Sequence, residues 1–437
     1  MINKKPAIAL AALAAAQAAS AQSSVTLFGV VDASISHYEV KSTFYNNTAV
    51  PMVPAPDVKR SLNALHNSGY NTSRVGFRGT EDLGGGLSAG FTFESGIFND
   101  SGAKALADFA RRSTVSLSGG FGEIRLGRDY TASFWNDTVF DPFGSVGAGP
   151  SLIFTVNSNL ATVRGAATAA NPGVVSLGAT DNYVRTSNSI GYFLPPGLGG
   201  FYGQVQYALH ENAKQDGVAG TPSNKGRYFG GRFGYADGPL DIAVSYGDST
   251  VADVTATNAA GVATGSTADE RVKTVNFGAS YDLGMVKLYG ELSRVTDDLK
   301  TTTPLLGGLA RLGATDKDRY DGALIGVTIP VGPGLIRAAY SRVKFKNDLG
   351  ALASPFMPDR NASANKIAIG YVHNLSKRTA LYATAARVRI KNGENNPAIM
   401  GAVSGGASPA FLSTGGGTSG YAPRSAIGYD FGIRHAF

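Results

Sequence analysis

The chain has 437 residues and no cysteine, with 39 Lys and Arg against 32 Asp and Glu, for a net charge of +7. The lack of cysteine excludes disulfide scaffolds, thiolate zinc sites and cysteine nucleophiles, and no segment after the N-terminus reaches the ~18 consecutive apolar residues of a membrane-spanning helix. Charged residues make up 16% of the chain, against ~25% in an ordinary soluble domain, and 57 glycines favour strands over helices.

Residues 1–21 predict a secretory signal peptide. Lys4 and Lys5 supply positive charge, residues 7–16 are a short uncharged apolar stretch, and residues 19–21 (ASA) form a small-x-small cleavage site. The stretch is too short to span a bilayer, and a buried core helix is the alternative. We therefore expect an exported mature chain of residues 22–437 that forms one domain.

The mature chain then alternates between apolar and polar residues, as half-buried strands do. Residues 24–32 begin this pattern, and later Val275 and Phe277 share one face while Asn276 and Ser280 share the other. The polar faces carry Gly, Ser, Asn and Thr as often as charge, and the apolar faces end in Tyr and Phe. This alternation is typical of a transmembrane β-barrel with lipid outside and water inside.

Short and long connections separate these segments in strict alternation. Such segregation has no reason to occur in a soluble barrel, which is the alternative. Seven short turns and eight long polar loops predict an all-β, 16-stranded antiparallel barrel with both termini at the short-turn side. The predicted turns are 82–86, 119–122, 195–200, 237–239, 282–284, 330–334 and 374–378, and the predicted loops are 37–70, 98–110, 129–182, 211–224, 251–270, 297–318, 347–364 and 392–423.

Four motifs resemble the general porins of beta-proteobacteria, and the resemblance runs from residue 22 to residue 437. The motifs are residues 24–32 (SVTLFGVVD), 73–87 (SRVGFRGTEDLGGGL), 122–130 (GEIRLGRDY) and 432–437 (GIRHAF). The resemblance implies a homotrimer in the outer membrane of a Gram-negative bacterium, with short periplasmic turns, long extracellular loops and the third loop folded inward as a constriction. It also implies a frequent preference for anions.

Alternation places several arginines on the lumen side of the early strands. Val75 and Phe77, for example, mark a lipid face and turn their neighbours inward. Arginine stays charged at any working pH, so it suits an anion-selective pore. Each arginine could instead face headgroups at a strand end or pair with a local acid. The predicted pore arginines are Arg74, Arg78, Arg112, Arg125 and Arg185.

The third long loop contains Trp135, Asp137 and Asp141 within an aromatic stretch. Folded into the barrel, it could pack its rings against the wall and present both carboxylates across from the arginines. The resulting transverse field would set ion preference. An extracellular loop with its own small cluster is the alternative.

Phe437 ends the chain in phase with Phe431 and Ile433, so we expect its ring to face lipid at the periplasmic rim. A terminal aromatic residue on such a strand resembles the assembly signal that the outer-membrane insertion machinery reads. An ordinary frayed terminus is the alternative.

No catalytic, metal, cofactor or nucleic-acid site is predicted, because the five histidines lack metal-ligand spacing and no nucleophile has a plausible base. The leading function is a general diffusion porin, an ion-conducting channel for small hydrophilic solutes with weak anion selectivity. A solute-specific channel and a barrel-anchored surface adhesin are the alternatives. The expected partners are two further copies of the chain, outer-membrane lipid and lipopolysaccharide, the barrel-assembly machinery, and small solutes and anions.

Overall fold

The computed structural model describes residues 24–46, 52–103, 108–163, 182–212, 224–257, 263–304, 311–348, 361–402 and 419–437. The predicted signal peptide lies outside these residues. Strands dominate the described part of the chain, and the few helices are short. No helix among the described residues is long and apolar enough to cross a membrane.

Seventeen strand segments and three α-helices are numbered here in chain order. The strands are β1 (Ser24–Asn46), β2 (Val58–Asn67), β3 (Arg74–Gly84), β4 (Leu87–Gly96), β5 (Arg112–Gly119), β6 (Gly122–Tyr130), β7 (Arg185–Phe193), β8 (Phe201–Ala208), β9 (Tyr228–Asp237), β10 (Leu240–Thr257), β11 (Ala263–Asp282), β12 (Lys287–Pro304), β13 (Arg311–Val331), β14 (Gly334–Asp348), β15 (Asn361–Asn374), β16 (Thr379–Lys391) and β17 (Ser419–Ala436). The helices are α1 (Ala132–Val139), α2 (Leu152–Val163) and α3 (Pro397–Met400), and a 3₁₀ turn covers Gly393–Asn395.

The strands form one closed antiparallel sheet. From β3 to β17 each strand pairs with the next, and β17 returns to pair with β1. The upper half of β1 pairs with β2 and its lower half pairs with β3. Because β2 and β3 are successive segments of one barrel strand, the seventeen segments make the predicted 16-stranded barrel.

Residues 68–73 interrupt the barrel strand between β2 and β3. The buried carboxylate of Asp32 on β1 accepts hydrogen bonds from the backbone N–H groups of Gly69 (3.1 Å), Tyr70 (3.0 Å) and Asn71 (2.6 Å). The Tyr382 hydroxyl donates to the same carboxylate. These bonds satisfy backbone groups that have left the sheet ladder, so the interruption is a defined turn.

All seven predicted short turns join strands at the same end of the barrel. The predicted long loops are in part too wide, because β1, β10, β12 and β13 continue into residues 37–46, 251–257, 297–304 and 311–318. The sequence of these extensions is rich in polar and charged residues, so it looks like a loop. The wall is consequently uneven: β4 to β9 have 8 to 10 residues each, whereas β10 to β17 have 13 to 21.

The polarity of the alternation inverts partway up the tall side of the wall. On β16 the outward residues are Ala383 and Ala385 and then the charged residues 387, 389 and 391, while inward Thr384 gives way to Val388 and Ile390. The inward apolar side chains of this upper band form a buried core with α2 and α3. That core includes Leu152, Ile153, Val156, Val295, Tyr320, Val343, Phe345, Val388, Ile390 and Ile399.

Candidate pore constriction

The segment that follows β6 folds into the barrel and lies against the tall side of the wall, as the sequence predicted. Inward glycines receive its side chains: Phe140 packs where a methyl group on Gly278 of β11 would overlap its ring. Pro142 packs in the same way against Gly326 of β13, and Ile153 packs in the same way against Gly322 of β13. A lumen-facing glycine therefore marks each of these three close contacts between the loop and the wall.

Amide and guanidinium groups hold α1 to the wall. Asn136 donates to Asn276 of β11 (Nδ2 to Oδ1, 3.1 Å), and Arg232 of β9 donates to Asn136 (Nε to Oδ1, 2.7 Å). Asn276 also donates to the Ser133 carbonyl (3.2 Å). Asn136 and Asn276 are fully buried, so these bonds satisfy groups that water cannot reach.

A carboxyl pair completes this contact. Asp137 on α1 is fully buried and accepts hydrogen bonds from Asn276 and from the Tyr183 hydroxyl (2.5 Å). The buried carboxyl group of Glu291 on β12 lies beside it. Burial raises the pKa of Asp137, and two neighbouring buried carboxyl groups are stable only when they are not both ionised.

Asp141 closes the turn between α1 and α2. Its carboxylate accepts hydrogen bonds from the backbone N–H groups of Phe143 (2.8 Å) and Ser151 (2.7 Å). The buried Lys366 of β15 attracts it, yet burial dominates and raises the pKa of Asp141 to about 6. Further along, the Ala148 N–H donates to Asp430 of β17 (2.7 Å).

The pKa of Asp141 predicts that the loop is held less firmly above pH 6. Because the folded pKa exceeds the ordinary value near 3.8, the proton stabilises the docked loop below about pH 4, and this contribution is lost as pH rises to about 6. The difference amounts to about 3 kcal/mol. Trp135, the only tryptophan of the chain, reports on the loop directly. We expect acrylamide quenching of its fluorescence to increase from pH 4 to pH 7.

In the wild type the increase in Trp135 quenching should have its midpoint near pH 6. The variant Asp141→Asn should lose most of this increase, because the amide cannot titrate. An unaltered pH profile in this variant would show that another group controls docking. Other titratable contacts of the loop are Asp137 beside Glu291 and the Ala148 N–H bond to Asp430.

The loop leaves a water-accessible cavity of about 920 Å³, bounded by α1, by β3 to β9 on the short side of the wall and by Arg337 of β14 on the tall side. Two carboxylates, Glu94 and Asp129, line it together with seven arginines. The arginines are Arg74, Arg111, Arg112, Arg125, Arg185, Arg232 and Arg337. The cavity is therefore strongly positive.

Four of the five arginines proposed from the sequence lie in this cavity: Arg74, Arg112, Arg125 and Arg185. Arg78 does not line it; it is exposed on β3, with its guanidinium carbon 5.3 Å from the centre of the Phe28 ring. Sequence reasoning missed three arginines. Arg232 and Arg337 alternate with outward apolar residues and could have been found, whereas Arg111 precedes β5 and follows no alternation.

Four of the cavity arginines are paired with carboxylates. Glu94 binds Arg111 (2.6 Å) and Arg74 (3.4 Å). Asp129 binds Arg112 (2.9 Å) and Arg125 (2.6 Å), and Arg125 also binds Glu123 (2.8 Å). These pairs fix the guanidinium groups along β3 to β6 and reduce the charge that they present to a passing ion.

The other three arginines rest on aromatic rings and form no ion pair among the described residues. The Arg185 guanidinium carbon lies 4.6 Å from the centre of the Tyr130 ring, and that of Arg232 lies 4.7 Å from the Tyr202 ring. Arg337 lies between two rings, those of Tyr70 (4.5 Å) and Phe143 (4.6 Å). Stacking holds these cations in place without neutralising them.

Asp137 and Asp141 do not line the cavity. The expectation that they face the arginines across the lumen assumed exposed carboxylates, but Asn276, Glu291 and backbone N–H groups draw both into the contact with the wall. The loop instead presents aromatic rings to the arginines. These include Phe134, Trp135, Phe143 and Phe154, and Trp135 is 43% exposed.

Phe437 lies at the seam of the barrel. Its backbone N–H and carbonyl exchange hydrogen bonds with Gly29 of β1, both at 3.0 Å. Its ring covers the outer face of Gly29, where no larger side chain would fit, and remains 42% exposed. The last residue thus extends the pairing that closes the barrel.

Comparison with known proteins gives concordant matches. The family model described as Gram-negative porin matches residues 7–393. Outer membrane porin protein 32 of Delftia acidovorans is 37% identical over 441 residues, covering 99% of this chain and all of that protein. The solved anion-selective porin from Comamonas acidovorans matches 95% of this chain and all of its own, at 32% identity and a TM-score of 0.62. OmpT of Vibrio cholerae, at 12% identity and a TM-score of 0.53, covers 95% of this chain and 98% of its own and shares the fold.

Proposed function

Because the chain belongs to the Gram-negative porin family, whose members are diffusion channels of the outer membrane, we propose that it passes small hydrophilic solutes and ions with a weak preference for anions. The observation that supports this proposal is the cavity beside the inward loop, where seven arginines meet two carboxylates. An anion there gains from a positive potential that repels cations. A similar protein is itself described as anion-selective.

The proposal is tested by inserting the purified protein into a planar bilayer under a KCl gradient. We expect stepwise, water-filled openings and a reversal potential of the sign that anion permeation gives. A reversal potential of the cation sign would contradict the assignment of the arginine-lined cavity as the selective passage. Stable insertion without openings would contradict the channel itself.

We also propose the partners and processing that the sequence indicated. The chain forms a homotrimer, is exported with cleavage after residue 21, contacts lipopolysaccharide, and is inserted by the barrel-assembly machinery. Conductance steps that arrive in groups of three, with a matching mass for the unheated complex, would support the trimer. Sequencing the N-terminus of the mature protein tests the cleavage site.

The terminal phenylalanine gives a prediction for assembly. Deleting Phe437 removes both backbone hydrogen bonds to Gly29 and the ring that covers it. We expect little heat-modifiable barrel in the outer membrane, whereas Phe437→Tyr keeps the aromatic ring and should assemble normally. Normal yield of folded protein from the deletion variant would show that the residue is dispensable for assembly.

A further inference from the structure

The cavity beside the inward loop has two chemically different faces. On the barrel side it is lined by the arginines described above, whereas the described loop residues that line it carry no charge. The loop contributes the rings of Trp135, Phe143 and Phe154, together with small residues such as Gly144 and Ser145. A solute held between the two faces therefore meets cations on one side and a largely apolar surface on the other.

Trp135 is the ring of the loop that is most open to a ligand. Its side chain is 43% exposed, whereas Phe134 and Phe143 are 6% and 3% exposed. An exposed apolar surface gains free energy when another apolar surface covers it, and aromatic rings favour offset-stacked or edge-to-face partners. The exposed indole is therefore a surface on which a second ring can pack.

The ring of Tyr130 connects Trp135 to a cation that has no carboxylate partner among the described residues. The ring centres of Tyr130 and Trp135 are 5.8 Å apart, and the Arg185 guanidinium carbon lies 4.6 Å from the centre of the Tyr130 ring. Both groups thus contact the same ring, and both line the cavity. A ligand made of one ring and one carboxylate can reach the two of them together.

The Arg185 guanidinium group keeps most of its hydrogen-bonding capacity. Within the described part of the chain it donates one hydrogen bond, from Nη2 to the Tyr130 hydroxyl (3.3 Å). Arg112 and Arg125, in contrast, both bind Asp129. A guanidinium group has five N–H donors, and a carboxylate can accept two of them in parallel. Arg185 is therefore able to take a carboxylate from solution.

The shape of this site favours a flat ligand over a bulky one. The rings of Tyr130 and Phe134 are stacked, with centres 5.4 Å apart and an interplanar angle of 13°. A planar ligand ring extends such an arrangement, and guanidinium planes also stack on aromatic faces. A saturated ring of the same carbon number is thicker and has no aromatic face, so it gains less from the same contacts.

We propose that the cavity binds aromatic carboxylates in preference to other small anions, with the carboxylate on Arg185 and the ring against Trp135. This inference rests on the proposed function, because it names the class of anion that the same cavity favours. An inorganic anion uses only the charged face, and a neutral aromatic molecule uses only the loop face. An aromatic carboxylate uses both.

The test measures the chloride current through the full-length protein in a planar bilayer at neutral pH while one of three probes is added. Benzoate carries the ring and the charge, cyclohexanecarboxylate carries the charge without the aromatic face, and benzamide carries the ring without the charge. We expect benzoate to reduce the current at a concentration about fivefold lower than cyclohexanecarboxylate. It should also act at a concentration at least about tenfold lower than benzamide.

Variants assign the two halves of the site. Trp135→Ala should lose the preference for benzoate over cyclohexanecarboxylate, whereas Trp135→Phe should keep most of it. Arg185→Gln should weaken the block by both carboxylates together, by about tenfold. The matched control is Phe229→Ala, which removes an outward ring of β9 outside the cavity and should leave the block by all three probes unchanged.

Equal block of the wild type by benzoate and cyclohexanecarboxylate would overturn the proposal, and this comparison depends on no variant. A full preference for benzoate in Trp135→Ala would place the ring of the ligand elsewhere and overturn the site. Equal block by benzoate and benzamide would show that charge plays no part and would overturn the role of Arg185.

A fluorescence titration separates this inference from the proposed function. Saturable quenching of Trp135 by benzoate in the detergent-solubilised protein requires no conduction. Quenching in a protein that opens no channel would refute the channel and leave the aromatic site standing. Openings with a reversal potential of the anion sign, but with no preference for benzoate, would refute the site and leave the channel standing.

Discussion

Replacing Arg185, Arg232 and Arg337 together with glutamine should move the reversal potential of the channel strongly toward the cation side. These three guanidinium groups face the cavity without a carboxylate partner among the described residues. At a distance of roughly 8 Å in water each charge contributes about 0.5 kcal/mol to the energy of a passing anion. Three such terms change the ratio of anion to cation permeability by about tenfold or more.

Two controls separate charge from structure. The triple lysine variant keeps the charge but loses the stacking, so it should retain the sign of the wild-type potential. Arg78→Gln removes a cation that lies outside the cavity and should leave the potential nearly unchanged. Because Arg232 also bonds to Asn136, Trp135 fluorescence should confirm that the loop is still docked. An unchanged potential with a docked loop would place the selective passage elsewhere.

Asp137→Ala should release the inward loop and raise the single-channel conductance. The substitution leaves the buried Glu291 carboxyl beside a void and removes the acceptor of Tyr183 and Asn276. Each buried donor that is left without an acceptor costs about 1–3 kcal/mol, and Asn276 and Tyr183 both lose theirs. We expect larger, noisier openings and easier quenching of Trp135.

Asp137→Asn is the matched control. The amide is isosteric, its oxygen can still accept from Asn276, and its NH₂ group can donate to the Tyr183 hydroxyl or to the neighbouring Glu291 carboxyl, so docking and conductance should stay near wild-type values. Because the side chain is buried away from the cavity, selectivity should also change little. A strong shift toward anions in this variant would mean that Asp137 faces the passage. Wild-type conductance of Asp137→Ala would show that the carboxyl pair does not hold the loop.

The fold was largely predictable because lipid imposes one rule on every strand. Alternation around Val275 and Phe277, together with the length of the connections, gave the number of strands and the position of every short turn. The rule fails above the membrane, where outward residues such as Lys344 meet water and inward residues such as Phe345 meet the loop helices. When the outward residues of one strand change from apolar to polar, the sequence resembles an irregular loop, unless the position of the membrane boundary is known.

The constriction was predictable only in part. Alternation identifies which arginines face inward, and it would have identified Arg232 and Arg337 had it been applied to the later strands. The alternation carries no information on which residues of the wall the inward loop contacts. The burial of Asp137 depends on Asn276 and Glu291, which lie about 140 and 150 residues away along the chain, and on glycine-lined space such as that beside Gly278.

The unequal height of the wall sets the electrical length of the channel. Since the loop fills the tall side, current flows beside strands of 8 to 10 residues, about 26–33 Å long when extended, instead of beside strands of up to 21 residues, about 70 Å long. The electrical resistance of a water-filled tube grows with its length. The narrow, positively charged part of this pore is short, so its resistance is low and ions soon reach bulk solution. A channel built in this way can keep a tight, charged cross-section and still carry a high flux.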